Sequence, residues 1–264
     1  MTTPPTAPQD GLPPRLTRLA FHGPLSEARA AAMVRRLAGT RPGSVLDIGC
    51  GWGELMLRLL AAVPRARGVG VDVNAVDLER GRRAAEARGL ADRVEFAQES
   101  AVGTGRGPAD VVLCLGASQA LGDDLVTALR ELRRLVADGG RVLLGEGFWQ
   151  RTPTEAELAG MWPGASATDH HDLAALVDLT VAAGFRPEWT ETANPDEWEE
   201  FESAYQADRE LWLATNPGHP LAAETRETLD THRKAWLTYR NILGLTYLTL
   251  TPTTHQDLAT PTTH

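Results

Sequence analysis

Hydrophobic positions follow two alternating patterns along the first half of the chain. Short continuous apolar runs predict buried strands, and apolar residues spaced by three and four predict amphipathic helices between them. The predicted strands lie at 44–49, 68–72, 94–97, 110–115 and 141–145. The predicted helices lie at 24–37, 55–63, 75–88 and 125–138. Strands that alternate with helices at this spacing indicate βαβ crossovers and a parallel sheet.

The regular alternation stops after residue 145. Residues 147–168 are predicted as a loop, because prolines and a glycine interrupt them. A helix at 169–183 and strands at 187–192 and 244–250 are predicted beyond it. Asn194-Pro195 is typical of a helix start, with a cap and a first-turn proline. Two aromatic-rich helices then occupy 195–243, and we expect this insertion to form a lid over the carboxyl ends of the strands.

The two ends of the chain differ from its middle in composition. Residues 1–14 and 251–264 are rich in threonine and proline, which predicts disordered tails. The intervening residues 15–250 are enough for a single domain with one sizeable core.

Charge and cysteine content exclude several classes of partner. The net charge of −9 argues against a nucleic-acid partner. The two cysteines form neither a metal-binding spacing nor a disulfide framework, which favours a reduced, cytoplasmic setting. We find no signal-peptide pattern and no apolar run of membrane-spanning length, and so expect no membrane partner. The sequence does not indicate an oligomeric state.

A glycine-rich turn follows the first predicted strand, in the segment DIGCGWG at residues 47–53. Its three glycines permit left-handed backbone angles and close approach of a ligand. Asp47 would repel a phosphate and suits a ligand with a cationic end. Asp72, after the second strand, can accept both hydroxyls of a ribose. Because ligands of open α/β sheets bind at the carboxyl ends of strands, these features predict a nucleoside-type cofactor. The alternative for Asp72 is the N-cap of the next helix.

The residues of this turn argue against a dinucleotide cofactor. A dinucleotide fold needs a small residue where Glu54 stands, and Asp47 would lie poorly beside a pyrophosphate. The segment resembles the first motif of the class I S-adenosylmethionine-dependent methyltransferases, D-x-G-x-G-x-G. The resemblance covers about residues 21–149. It implies an α/β, Rossmann-like, doubly wound sheet of seven strands with the last strand antiparallel, and an enzyme of the small-molecule type.

The resemblance also implies roles for individual residues. The three glycines line the methionine part of S-adenosylmethionine, Asp72 holds the ribose, and Glu99-Ser100 flank the adenine. Many relatives carry aspartate where Ser100 stands. Cys114 and Leu115 border the sulfonium. The predicted cofactor-binding residues are Asp47, Gly49, Gly51, Gly53, Asp72, Val73, Glu99, Ser100, Cys114 and Leu115.

A methyl sulfonium is already an activated electrophile, so the enzyme has mainly to position the acceptor. A base helps only if the acceptor must lose a proton. Glu146, between two glycines after the fifth strand, is the candidate for orienting an amine or hydroxyl or taking its proton. The alternative is a solvated or salt-bridged loop acid. The predicted acceptor-pocket residues are His22, Gln119, Trp149, Tyr205 and Tyr239.

Two histidine-containing features have simpler interpretations. The segment DHHD at 169–172 is predicted as a helix start rather than a metal site, because adjacent histidines on a helix point apart. His232 lies on an apolar helical stripe and is predicted as a hydrogen-bonded core residue. We therefore predict no metal.

The predicted function is methyl transfer from S-adenosylmethionine to nitrogen or oxygen of a small molecule. The D/N-P-P-aromatic motif typical of nucleic-acid amino-methyltransferases is absent from residues 115–118. Two alternatives remain at this point: an NAD(P)-linked oxidoreductase, and a cofactor-binding protein without catalysis.

Overall fold

The computed structural model describes residues 11–253, which form two compact units. The sheet unit comprises residues 26–148, 173–192 and 245–253. The helical unit comprises residues 11–25, 149–172 and 193–244. The prediction of a single domain at residues 15–250 stays a prediction. The predicted insertion at 195–243 belongs to the helical unit together with two further segments, and its role as a lid stays a prediction.

A seven-stranded sheet runs through the described residues. Its strands are β1 (Ser44–Ile48), β2 (Arg67–Asp72), β3 (Val94–Gln98), β4 (Ala109–Leu115), β5 (Val136–Trp149), β6 (Phe185–Thr192) and β7 (Leu243–Pro252). They lie in the order β3-β2-β1-β4-β5-β7-β6. The first five strands pair in parallel, whereas β6 and β7 pair antiparallel. The predicted fold class is confirmed, with one antiparallel strand. The strand order reverses between β1 and β4, where such sheets bind ligands.

Helices connect these strands. The sheet unit contains α1 (Glu27–Gly39), α2 (Glu54–Ala62), α3 (Ala75–Ala87), α4 (Leu125–Leu135) and α6 (Leu173–Ala182); the helical unit contains α5 (Glu155–Leu158), α7 (Pro195–Thr215) and α8 (Ala222–Tyr239). The sheet-unit core joins central strands to α4, with Ile48, Val112 and Leu132 fully buried. None of the helices described here is both long and apolar enough to cross a membrane.

The fifth strand differs most from its prediction. It starts at Val136, directly after α4, and continues to Trp149. Val136 pairs with Ala109 and Arg141 pairs with Val111, so a bulge takes up the intervening residues. Gly139 in this bulge has a φ of 76°. Residues 136–138, which are predicted as the end of a helix, are therefore part of an irregular strand.

Helices α1 and α6 start later than predicted, whereas α7 starts where it is predicted. Helix α1 begins after Ser26, whose side chain accepts from the Arg29 N–H, and not at Pro24. Helix α6 begins at Leu173, because the Asp169 carboxylate instead accepts from the Ser166 N–H and the Trp162 indole. The predicted start of α7 is confirmed.

Two helices of the helical unit begin with a capping box. The Asn194 side chain accepts from the Glu197 N–H at 2.9 Å, and the Glu197 carboxylate accepts from the Asn194 N–H at 2.9 Å. Thr154 and Glu157 form the same arrangement at α5, a short helix within the predicted loop at 147–168. In both places, reciprocal side-chain contacts satisfy the first backbone donors of the helix.

Residues 11–14 and 251–253 belong to the predicted tails and are described by the structure. The Gly11 carbonyl accepts from the Trp212 indole at 3.1 Å, and β7 includes Thr251 and Pro252. Residues 1–10 and 254–264 lie outside the described residues.

The Asn194 cap generates a stability prediction. Asn194→Ala removes the acceptor for the Glu197 N–H, so we expect the free energy of unfolding to fall by about 1 kcal/mol. Urea denaturation followed by tryptophan fluorescence measures this change. Glu200→Ala, at an exposed position of the same helix, is the matched control. Equal effects of the two substitutions would contradict a role for the cap.

Candidate active site

The turn after β1 is left-handed at each of its three glycines. The φ angles are 60° at Gly49, 54° at Gly51 and 64° at Gly53. A Cβ on Gly49 would lie 2.4 Å from the Ala117 Cβ, and one on Gly53 would lie 2.8 Å from the Phe96 ring. Both conformation and space therefore require glycine at these positions. The turn lies at the carboxyl edge of the sheet, where Gly49 is half-buried and Gly51 and Gly53 are buried.

The Asp72 carboxylate binds this turn directly. One oxygen accepts from the Gly51 N–H at 2.8 Å and the other accepts from the Asn74 N–H at 2.8 Å. The cap of α3 is Asn74, whose side chain accepts from the Val76 N–H at 3.0 Å. The alternative in which Asp72 caps α3 is therefore wrong. Each Asp72 oxygen retains further acceptor capacity, as a ribose diol requires.

Two more acids lie near this edge. Asp47 is buried, and burial together with the charge of Asp72 raises its pKa to about 8. Burial also raises the pKa of the Cys114 thiol, and the carboxylates of Glu146 and Asp47 raise it further. The ends of β1, β4 and β5 thus bring two acids into electrostatic range of one buried cysteine. Such a site favours a ligand with positive charge.

The two carboxyl oxygens of Glu146 differ in their hydrogen bonding. Its Oε1 accepts from the Gly147 N–H at 3.3 Å, whereas its Oε2 is buried without a hydrogen-bond partner in residues 11–253. Burial raises the pKa of Glu146, and the Ser118 hydroxyl and the Gly147 N–H oppose that shift. A solvated or salt-bridged loop acid would have no such orphaned oxygen. Gln119, which follows Ser118 in the sequence, is exposed and donates to the Gly116 carbonyl at 3.3 Å.

The two residues predicted to flank the adenine make contacts within the chain. Arg106 binds both oxygens of Glu99, at 3.0 and 2.8 Å, and lowers the pKa of that carboxyl. The Ser100 hydroxyl accepts from the Val102 N–H at 3.2 Å. Val73 and Val102 follow the adjacent strands β2 and β3 and are 69% and 66% exposed. Sequence reasoning missed Val102, although an apolar residue in a polar loop was visible there.

The acceptor residues predicted in the helical unit occupy several environments. His22 is exposed. Trp149 is buried, stacks on Trp162 with a centroid distance of 6.1 Å and donates to the Ala167 carbonyl at 2.9 Å. Tyr205 and Tyr239 belong to a separate polar cluster. Trp149 is therefore a packed structural residue as well as a candidate for the acceptor pocket.

That polar cluster centres on Glu202, which is 1% exposed. Its oxygens contact the Tyr239 hydroxyl at 2.5 Å and His232 Nε2 at 2.7 Å. The Tyr205 ring stacks on His232 with a centroid distance of 4.5 Å. Burial and the Glu202 carboxylate raise the pKa of Tyr239. His232 is thus a hydrogen-bonded residue, as predicted, whereas sequence reasoning missed Glu202 even though it interrupts an aromatic helix face.

No group of three potential ligand side chains within the described residues is arranged to hold a metal. In the segment at 169–172, the His170 ring packs edge-on against Trp149 at 5.0 Å. The segment precedes α6 rather than starting it.

The strand-order reversal, the left-handed glycine turn and the acid bound to it define a nucleoside-binding α/β protein. Comparison with known proteins refines this class. Residues 46–142 match a family described as a methyltransferase domain. The uncharacterised protein YjhP of Escherichia coli is 31% identical over 221 residues, which cover 83% of this chain and 88% of YjhP. The crystal structure of YjhP has a TM-score of 0.78.

The solved structure of a similar protein indicates the class of cofactor. The S-adenosylmethionine-dependent methyltransferase of Geobacter sulfurreducens in complex with S-adenosylhomocysteine is 27% identical, with a TM-score of 0.79 over 90% of this chain and 98% of that one. A ubiquinone/menaquinone biosynthesis C-methyltransferase, UbiE of Syntrophotalea carbinolica, is 36% identical over 58% of this chain and 64% of its own length. The chain belongs to the class I S-adenosylmethionine-dependent methyltransferases, and its cofactor is S-adenosylmethionine.

Asp72 generates the first prediction for this site. Asp72→Asn removes a charged acceptor from the ribose position and weakens the contact to Gly51, so we expect S-adenosylhomocysteine affinity to fall about 10- to 100-fold. Isothermal titration calorimetry measures it. The control is Asp92→Asn, an exposed acid before the start of β3. Unchanged affinity in Asp72→Asn would refute the assignment.

Asp47 generates a pH prediction. Its pKa is about 8 in the folded protein against an ordinary value of 3.8, so the unfolded chain loses this proton first as pH rises. The free energy of unfolding should therefore fall between these two values and level off above them. Asp47→Asn should remove this part of the slope. Urea denaturation of both proteins without cofactor, from pH 5 to pH 9, measures the difference; parallel curves would contradict the raised pKa.

Proposed function

We propose that this methyltransferase modifies a nitrogen or oxygen atom of a small molecule, with Glu146 as the group that orients the acceptor and takes its proton. The observation that carries the proposal is the buried Oε2 of Glu146, which has no partner within the described residues. A buried carboxylate oxygen without a donor is costly unless a ligand supplies one. An amine or hydroxyl acceptor supplies such a donor.

The chain's residues fit the cofactor that the family uses. Bound S-adenosylmethionine supplies a methyl group on a positively charged sulfur. The backbone of the glycine turn would line its methionine part, and Asp72 would accept from the ribose hydroxyls. Exposed Val73 and Val102 offer apolar surface for the adenine ring, while Glu99 is already bound by Arg106. We therefore assign the adenine contact to the two valines rather than to the Glu99 carboxylate.

Glu146 performs the proton chemistry in this proposal. Its Oε2 accepts the hydrogen bond of the acceptor N–H or O–H and so aims the lone pair of that atom at the methyl carbon. The new bond to carbon forms as the carbon–sulfur bond breaks, and the bonding electrons remain on sulfur. The acceptor proton then passes to Oε2. Burial raises the pKa of Glu146, which makes the carboxylate a better proton acceptor near neutral pH.

The alternatives to this proposal differ in how well the sequence and the structure support them. An NAD(P)-linked oxidoreductase is disfavoured, because Glu54 occupies the position of the third small residue and binds Arg58 and Arg88 there, each at 2.7 Å. Carbon is the closer rival to nitrogen or oxygen as the methylated atom, since one relative is named as a C-methyltransferase. A non-catalytic cofactor-binding protein would release no S-adenosylhomocysteine.

A metabolite panel scored by S-adenosylhomocysteine release tests the proposal. We expect release with an amine or hydroxyl compound, and a kcat for Glu146→Gln at least about 100-fold lower, because a general base contributes about that much or more. S-adenosylhomocysteine affinity should not change in this variant. Mass spectrometry and NMR of the product identify the methylated atom.

The control is Glu200→Gln, at an exposed position of α7, which should keep the wild-type rate. An unchanged kcat in Glu146→Gln would reduce Glu146 to a structural residue. A carbon-methylated product would overturn the nitrogen-or-oxygen assignment while leaving the cofactor assignment intact.

A further inference from the structure

An open groove of the helical unit lies between α8 on one side and α5 with its following loop on the other. Its volume is about 570 Å³, which is within the range of small-molecule pockets. Every residue that lines it belongs to the helical unit, and none is among the residues predicted for the cofactor or the acceptor. The proposed function therefore leaves this groove unassigned.

Most of the groove lining is apolar. Leu158, Met161 and Trp162 line it and belong to the same apolar cluster as Trp149. Met161 is buried, whereas Leu158 and Trp162 are only half-buried, so the cluster leaves part of its surface uncovered. The Trp162 ring is held by its stacking on Trp149 and by the hydrogen bond from its indole to Asp169 at 3.2 Å. A fixed apolar surface of this kind favours an apolar group on a ligand.

Within the described residues, two charged side chains line the groove, Glu155 on α5 and Lys234 on α8. Neither forms an ion pair within residues 11–253, with the other or with a third group. By contrast, the neighbouring charges Glu157 and Arg233 both form ion pairs, at 2.5 and 2.8 Å. The groove thus offers one unpaired negative group and one unpaired positive group. A ligand that carries both charges complements it.

The side of the groove that carries the positive charge also has a hydroxyl group. Thr231 precedes Lys234 by three positions in α8, so the two side chains lie on one face of the helix. The Thr231 hydroxyl makes no hydrogen bond within the described residues, whereas those of Thr228 and Thr238 donate to carbonyls of α8 at 3.0 and 2.8 Å. An ammonium beside a free hydroxyl provides donors for a carboxylate.

We propose that this groove binds a zwitterionic amino acid with a large apolar side chain. The ligand carboxylate contacts Lys234 and Thr231, its ammonium contacts Glu155, and its side chain covers Leu158 and Trp162. A ligand with a single charge satisfies only one of the two unpaired groups. The proposal is independent of the methyl-transfer proposal, because it rests on the helical unit alone and its test needs neither cofactor nor turnover.

The test uses a signal that is specific to the groove, because Lys234 is the only lysine of the chain. In full-length protein made with ¹³C-labelled lysine, the NMR signal of the ε-methylene reports Lys234 alone. The probes are L-phenylalanine, hydrocinnamate, which lacks the ammonium, phenethylamine, which lacks the carboxylate, and L-alanine, which lacks the ring. Isothermal titration calorimetry measures the affinities.

We expect phenylalanine to shift the Lys234 signal. It should bind about 2- to 5-fold tighter than hydrocinnamate or phenethylamine, as one exposed ion pair allows. It should bind at least about 10-fold tighter than alanine, because the apolar lining buries the ring.

Two substitutions separate the charges. Lys234→Met should lower phenylalanine affinity to that of phenethylamine, and Glu155→Gln should lower it to that of hydrocinnamate. The control is Glu227→Gln, at an exposed position of α8, which should leave the affinity unchanged.

An unmoved Lys234 signal during titration with phenylalanine would overturn the site. Equal or tighter binding of hydrocinnamate or phenethylamine would overturn the zwitterionic ligand. Both comparisons use the wild-type protein, so they decide the question even if a variant failed to fold. Lower phenylalanine affinity in Glu146→Gln would also overturn the proposal, since the ligand would then lie at the acceptor position of the proposed function.

Discussion

The hydrogen bond from the Gly51 N–H to the Asp72 carboxylate is the contact on which the cofactor edge depends. It ties the turn after β1 to the end of β2 and requires a left-handed backbone on the donor side. That backbone is open only to glycine here, because the neighbouring turn residues would place a Cβ against Ala117 or Phe96. Steric exclusion and one charged acceptor together fix the surface that meets the cofactor.

The same edge concentrates carboxyl groups. Burial, together with the charge of Asp72, raises the pKa of Asp47 to about 8, so that Asp47 holds its proton near neutral pH. Glu146 lies within electrostatic range of the same buried Cys114, and burial raises its pKa as well. A cationic ligand favours the charged form of these groups, whereas a pyrophosphate would disfavour it.

The predictable parts of this protein are those coded by neighbouring residues. The glycine turn, the early strands and the Asn194 cap follow from local sequence, and the structure confirms them. The start of β5 could not be predicted, because Val136 becomes a strand residue by pairing with Ala109, far away in sequence. Nor could the pairing of Arg106 with Glu99, which engages both oxygens of a residue predicted to flank the adenine. The roles of the predicted site residues stay predictions, since they depend on a bound ligand.

Two buried polar groups of the helical unit differ in whether their hydrogen bonds are satisfied. Glu202 is as deeply buried as any acid in the described chain, yet both of its oxygens are engaged, by Tyr239 and His232. A satisfied acid of this kind is costly to remove but offers nothing to a ligand. The Trp198 indole is the opposite case, a buried donor that the fold leaves open. Tyr239 joins the two, since its hydroxyl completes the Glu202 cluster while its ring packs against Trp198. The fully bonded cluster therefore fixes the ring that packs beside the unsatisfied donor.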